Sequence, residues 1–105
     1  MNVVLTSAAR RDVASAADWY ESKREGLGDE FLNRVDGALE NIGSNPLAYR
    51  KVSGENRRCP LEQFPFALFF KIEGDAIVVA CLHAKRRPEL VKERSAGVLE
   101  FKPKS

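Results

Sequence analysis

Residues 57–88, RRCPLEQFPFALFFKIEGDAIVVACLHAKRRP, decide the fold. Phe64, Phe66, Leu68, Phe70 and Ile72 stand at alternate positions, the period-two pattern of a strand with one face on a core. Gly74-Asp75 supplies a two-residue turn, because glycine takes the positive φ that a tight hairpin needs. The run 76–84 is apolar on both faces and rich in Val and Ile, which predicts a central strand. With Gly74-Asp75 as the loop, Ile72 pairs with Ile77, Phe70 with Val79, Leu68 with Cys81 and Phe66 with His83. A slip of one residue moves every one of these to the other face. Residues 57–61 form the remaining strand, placed at an edge because Pro60 has no N–H to give a ladder. The result is a three-stranded antiparallel meander with His83, Arg86 and Arg87 at its far end.

Working outward, residues 2–5 read as a short first strand with Val3 and Leu5 on one face, and Thr6 or Ser7 caps the helix that follows. Ala9, Val13, Ala16, Ala17 and Tyr20 give that helix a small-residue face. Trp19, near the edge of the stripe, is expected to cover the core where this helix meets the next. Glu25-Gly26-Leu27-Gly28 breaks the pattern, after which Leu27, Phe31, Val35, Leu39 and Ile42 define a second helix and complete an αα-hairpin. Gly43-Ser44-Asn45-Pro46 ends it, with glycine in the left-handed cap and Pro46 disfavouring a helical Asn45. Residues 47–56 read as a loop with a turn at Gly54. Beyond the meander, Pro88 opens a short helix over 89–95 that Gly97 stops. The apolar tail Val98, Leu99 and Phe101 either packs back on the domain or awaits a partner.

The expected architecture is therefore α+β, in the order β-α-α-β-β-β with a short C-terminal helix. At 105 residues and 44% hydrophobic the chain makes one domain over 1–105, with its core over about 2–95 and a tail over 96–105. That length buries a core without metal or disulfide support. No signal peptide stands out, and no apolar run approaches the ~18 residues of a membrane span, which predicts a cytoplasmic protein with no membrane partner. The two cysteines, Cys59 and Cys81, lie on strands separated by the middle one, and bridged Cα atoms must come within ~7 Å. They are expected to be buried hydrophobes.

The net charge of +2 conceals an asymmetry: residues 1–82 carry 10 basic and 12 acidic side chains, residues 83–105 carry 7 and 3. A basic C-terminal end suits an acidic partner, or serves only as a solvated tail. No Gly-rich phosphate loop, nucleophile elbow or metal-ligand spacing is present, so no cofactor is expected. The one histidine, His83, has no companions for a metal site and stands either as a hydrogen-bonded structural residue or as a catalyst. The basic set Arg57, Arg58, Lys71, Arg86, Arg87 and Arg94, with Lys85, is the candidate partner-binding site, because strands ~4.8 Å apart bring sequence-distant groups together. Arginines there grip phosphate or carboxylate in bidentate fashion, or else bridge to acids on the helices and hold the sheet to them.

Several short stretches carry a resemblance in order and spacing over residues 3–94. They are Ala9-x-x-Asp12-Val13, Trp19-Tyr20-Glu21, Leu27-Gly28-x-x-Phe31, Asn45-Pro46-x-x-Tyr49, Arg57-Arg58-x-x-Leu61, Phe64-Pro65-Phe66 and His83-x-x-Arg86-Arg87-Pro88. The sequence resembles the RelE/ParE toxin superfamily of bacterial type II toxin-antitoxin modules, and within it the ParE-like, plasmid-stabilisation branch. That resemblance implies a small toxin neutralised by a cognate antitoxin. ParE-like members inhibit DNA gyrase without being enzymes. RelE-like members are endoribonucleases that cut mRNA on the ribosome and place a tyrosine or histidine in the C-terminal segment for it. Residues 84–105 here contain neither, so a gyrase inhibitor is the first expectation. A nuclease using His83, Arg87 and Arg58, with Arg57 and Arg86, is the alternative.

Overall fold

The structure, a computed structural model, describes residues 1–85 and 88–100. Its elements run β1 (Val3–Leu5), α1 (Ser7–Lys23), α2 (Leu27–Ser44), a 3-10 turn (Pro46–Ala48), β2 (Lys51–Ser53), β3 (Asn56–Pro60), β4 (Phe66–Glu73), β5 (Asp75–His83) and α3 (Pro88–Glu100). The strands form one five-stranded sheet in the order β1-β5-β4-β3-β2, in which β1 pairs parallel to β5 and the other pairs are antiparallel. The α+β class stands, but the sheet is mixed and five-stranded, with the expected meander at its centre. Strand β2 lies in the segment read as a loop; three residues with one apolar side chain carry no periodicity to read. Because β2 pairs with Asn56 and Arg57, β3 is not an edge strand. Pro60 lies past the end of β2, on the side where Arg58 N–H bonds Arg50 O, so its missing donor breaks no ladder.

The hairpin register departs from the expected one near the turn. Glu73 pairs directly with Asp75 across Gly74, which alone sits at the apex with φ 73°, and Ile72 pairs with Ala76 rather than Ile77. A β-bulge between Phe69 and Phe70 then leaves Val79 as the extra residue on β5, so Phe70 pairs with Val78. Past the bulge Leu68 meets Cys81 and Phe66 meets His83, as expected. The two-residue turn and the missed bulge are errors of one residue that cancel. Both cysteines are free and buried, on opposite sides of Leu68 in the adjoining strands.

Helices α1 and α2 cover one face of the sheet, where Phe31, Ile42, Leu68, Phe70 and Val78 are fully buried. Thr6 caps α1, its Oγ1 accepting from Ala9 N–H at 3.1 Å. The helices approach closely at Gly28, where a Cβ would stand 2.8 Å from Ala17 O. Tyr20, not Trp19, fills the seam, with its ring 5.4 Å from Phe31 and 4.7 Å from Phe64. Trp19 points outward, 56% exposed, under the ammonium of Lys23. The helical phase turns it a step beyond the buried stripe. Gly43 stays inside α2 and takes no left-handed cap; Asn45, with φ −153°, ends the helix ahead of Pro46.

α3 packs on the opposite face, burying Val91 against Ala67, Phe69, Val79, Ala80 and Leu82. It runs through Gly97 to Glu100 rather than stopping near Ser95. A helix-interior glycine costs only about 1 kcal/mol against alanine and does not by itself end a helix. Phe101 of the tail lies outside the described residues. Among the described residues no helix is long and apolar enough to cross a membrane.

Candidate partner-binding site

The described members of the basic set do not converge on one face. Paired residues of adjacent strands share a face, so Arg57, opposite Phe70, lies on the side of α1 and α2, and its Nη1 donates to Tyr49 O at 2.7 Å. Arg58, opposite Phe69, lies on the α3 side. Lys71 is 4% exposed; its ammonium meets Glu73 Oε2 at 2.9 Å and Ser95 O at 3.2 Å, tying β4 to α3. Arg86 and Arg87 lie outside the described residues. Arg94 grips Asp12 with both guanidinium nitrogens, at 2.7 and 3.0 Å, fastening α3 to α1. Lys71 and Arg94 thus hold the fold together, the structural role weighed for these cations.

The Asp12–Arg94 pair follows from the bulge. β1 ends at Leu5, with Thr6 N–H on Val78 O, so among the described residues the edge of β5 beyond Val78 has no neighbouring strand. The extra residue Val79 shifts the phase of the strand and turns Cys81 N–H and Val79 C=O to that edge. Asp12 Oδ2 accepts from Cys81 N–H at 3.0 Å, and Arg94 reaches Val79 O at 3.4 Å. Hydrogen bonding to Asp12 raises the Arg94 pKa, and burial, aided by the Asp12 charge, pushes the Cys81 thiol up to about 12. Cys81 is therefore no nucleophile at neutral pH.

What remains free is a cleft of about 360 Å³ between α3 and β2–β3. Arg50, Arg58, Val52, Phe69, Ala84 and Val91 line it. Among the described residues neither guanidinium has an ion pair or side-chain hydrogen bond. Two unpaired cations over an apolar floor suit a ligand with carboxylate or phosphate beside apolar groups. Sequence reasoning missed Arg50, because it falls in the segment read as a loop. Its position just ahead of Val52 became informative only once β2 was known to pair with β3.

His83 stands elsewhere. Its pairing with Phe66 puts it on the side of α1 and α2, its ring is 5.6 Å from Phe66, and Nδ1 accepts from Lys85 N–H at 3.2 Å. Imidazole and Arg58 thus occupy opposite faces, so the nuclease set of His83 and Arg58 is not brought together.

A family model described as "ParE toxin of type II toxin-antitoxin system, parDE" matches residues 3–88. The chain belongs to the ParE toxin family. The fold agrees: a chain solved as "Chromosomal ParDE TA system from P. aeruginosa" superposes with a TM-score of 0.59 at 18% identity, over 79% of this chain and 95% of that one. No curated protein matches the sequence. The stretches that carried the resemblance have physical work to do in this ParE-family chain. Asp12 holds the β5 edge and Tyr20 fills the helical seam. Glu21 accepts from Gly26 and Gly28 N–H at 3.0 and 2.9 Å, capping α2 where Gly26 offers no side chain. Tyr49 sets its ring 5.9 Å from that of Phe70.

Proposed function

We propose that this ParE-family toxin acts by binding rather than by catalysis: it engages DNA gyrase, and a cognate antitoxin masks it through an acidic segment. The observation that carries this is the pair of guanidiniums, Arg50 and Arg58, without partners among the described residues, beside an apolar floor of Val52, Phe69 and Val91. Such a surface favours acidic and apolar side chains of a protein partner through charge-assisted bonds and burial. Cleavage of RNA needs a proton acceptor within hydrogen-bond reach of the attacking 2′-hydroxyl and cations on the same phosphate. His83, turned to the other face and engaged by Lys85 N–H, does not meet that requirement alongside Arg58.

Induction of the toxin in growing cells, with DNA synthesis and mRNA integrity followed together, tests the reading. DNA synthesis should fall while mRNA stays intact. Cleaved ribosome-bound mRNA with continued DNA synthesis contradicts it.

A further inference from the structure

Helix α2 carries three weak helix formers, Asn33, Gly37 and Asn41, four residues apart on one stripe. All three are exposed, and a Cβ added at Gly37 would meet nothing within 4 Å among the described residues. No close approach requires this glycine, in contrast to Gly28, whose Cβ would stand 2.8 Å from Ala17 O. The missing side chain helps to open a hollow of about 210 Å³ between α2 and β3, with Asn33, Gly37 and Asn41 on one wall and Tyr49 on another. Neither asparagine amide has a hydrogen-bond partner among the described residues. The charged side chains on the walls, Arg34 and Glu62, pair with each other at 3.0 Å, so the hollow presents no net charge.

We infer that this hollow takes an extended, uncharged peptide segment, its backbone held by the Asn33 and Asn41 amides and one aliphatic side chain seated over Gly37. The spacing carries the inference. A helical rise of about 1.5 Å per residue sets Asn33, Gly37 and Asn41 about 6 Å apart. Alternate residues of an extended chain point the same way and recur about 6.6 Å apart, so three of them match the three positions in turn. A carboxamide both donates and accepts, as a peptide group requires of its partner. A glycine that weakens a helix without a steric reason is a local rule broken where a site is kept open. Tyr49 lines this hollow, and its chain neighbour Arg50 lines the arginine cleft on the other face of the sheet. The two sites meet at the β2 edge, where an extended chain passing round the sheet fills both and a globular surface does not. Resting on the reading that a cognate antitoxin masks this toxin, the segment belongs to the antitoxin, as the continuation of its acidic part in the arginine cleft.

The test is an NMR titration of the 15N-labelled full-length protein with acetyl-Ser-Thr-Val-Thr-Ser-amide, against the same peptide N-methylated at both serines. The side-chain amides of Asn33 and Asn41 and the backbone amide of Gly37 should shift saturably with the first peptide. The N-methylated peptide should bind roughly tenfold more weakly, as the loss of two hydrogen bonds implies. Gly37→Leu should raise the melting temperature, leucine being a strong helix former, and abolish the saturable shifts. No saturable shift, equal binding of both peptides, or undiminished binding to Gly37→Leu overturns the site. The saturating peptide should leave inhibition of gyrase supercoiling unchanged; relief of that inhibition overturns the assignment to the antitoxin. The gyrase reading fails separately: a protein that binds the peptide here yet leaves gyrase untouched removes that reading and keeps this site.

Discussion

Asp12 on α1 and Arg94 on α3 meet in a two-point contact, at 2.7 and 3.0 Å, across the open edge of β5. The two helices lie on opposite faces of the sheet, so one ion pair joins both outer layers and closes the edge that β1 is too short to cover. The same carboxylate holds Cys81 N–H, which makes Asp12 the more consequential partner. Unprotected edges invite pairing with other chains.

Asp12→Ala should destabilise the protein by about 2–4 kcal/mol, since it leaves the guanidinium without its acid and a backbone N–H without its acceptor. Arg94→Ala should cost less, about 1–2 kcal/mol, because Asp12 keeps Cys81 N–H. Urea unfolding of both variants checks the order. Equal losses from the two variants, or none from Asp12→Ala, contradict the clasp.

Gly28→Ala should cost about 1–3 kcal/mol through the forced separation of α1 and α2. The added methyl would stand 2.8 Å from Ala17 O, which is backbone, and 3.0 Å from Glu21 Oε1. Thermal melts of this variant beside Gly37→Ala make the comparison. Gly37 lies in the same helix, and an added Cβ there would meet nothing within 4 Å among the described residues, so its replacement should stabilise. A neutral Gly28→Ala contradicts the close approach.

Much of this was legible in the sequence because the relevant signals are local. Alternate aromatics fixed the central strand, three- and four-residue spacing fixed both long helices, and Leu68 and Phe66 found their partners on β5. The rest depends on relations that spacing does not carry. Val79 reads as one more residue of an apolar run, and only pairing with β4 reveals it as a bulge. The basic residues looked like one group because charge can be counted along a chain, whereas strand alternation sends Arg57 and Arg58 to opposite faces. Arg50 was missed for the converse reason: its surroundings exist only when β2 is in place.

Glu21 gives the hairpin a pH dependence. Its carboxylate accepts from the Gly26 and then the Gly28 N–H, which lower its pKa below the ordinary carboxylate value. The folded state therefore binds this proton less readily than the unfolded chain, so its stabilisation is fully present above the unfolded pKa and is lost as pH falls through the folded one. Glu21→Gln should remove part of the loss of stability seen on acidification below the ordinary glutamate range, measured as urea midpoints against pH. An unchanged slope contradicts the cap.

The central claim, that the toxin binds gyrase through the cleft holding Arg50 and Arg58, is tested most directly by supercoiling with purified gyrase and increasing toxin. The wild-type protein should inhibit, and an Arg50→Glu, Arg58→Glu double variant of unchanged melting temperature should need roughly tenfold more protein or worse, as two lost charge contacts imply. Full supercoiling at excess wild-type toxin, or equal inhibition by the double variant, contradicts it.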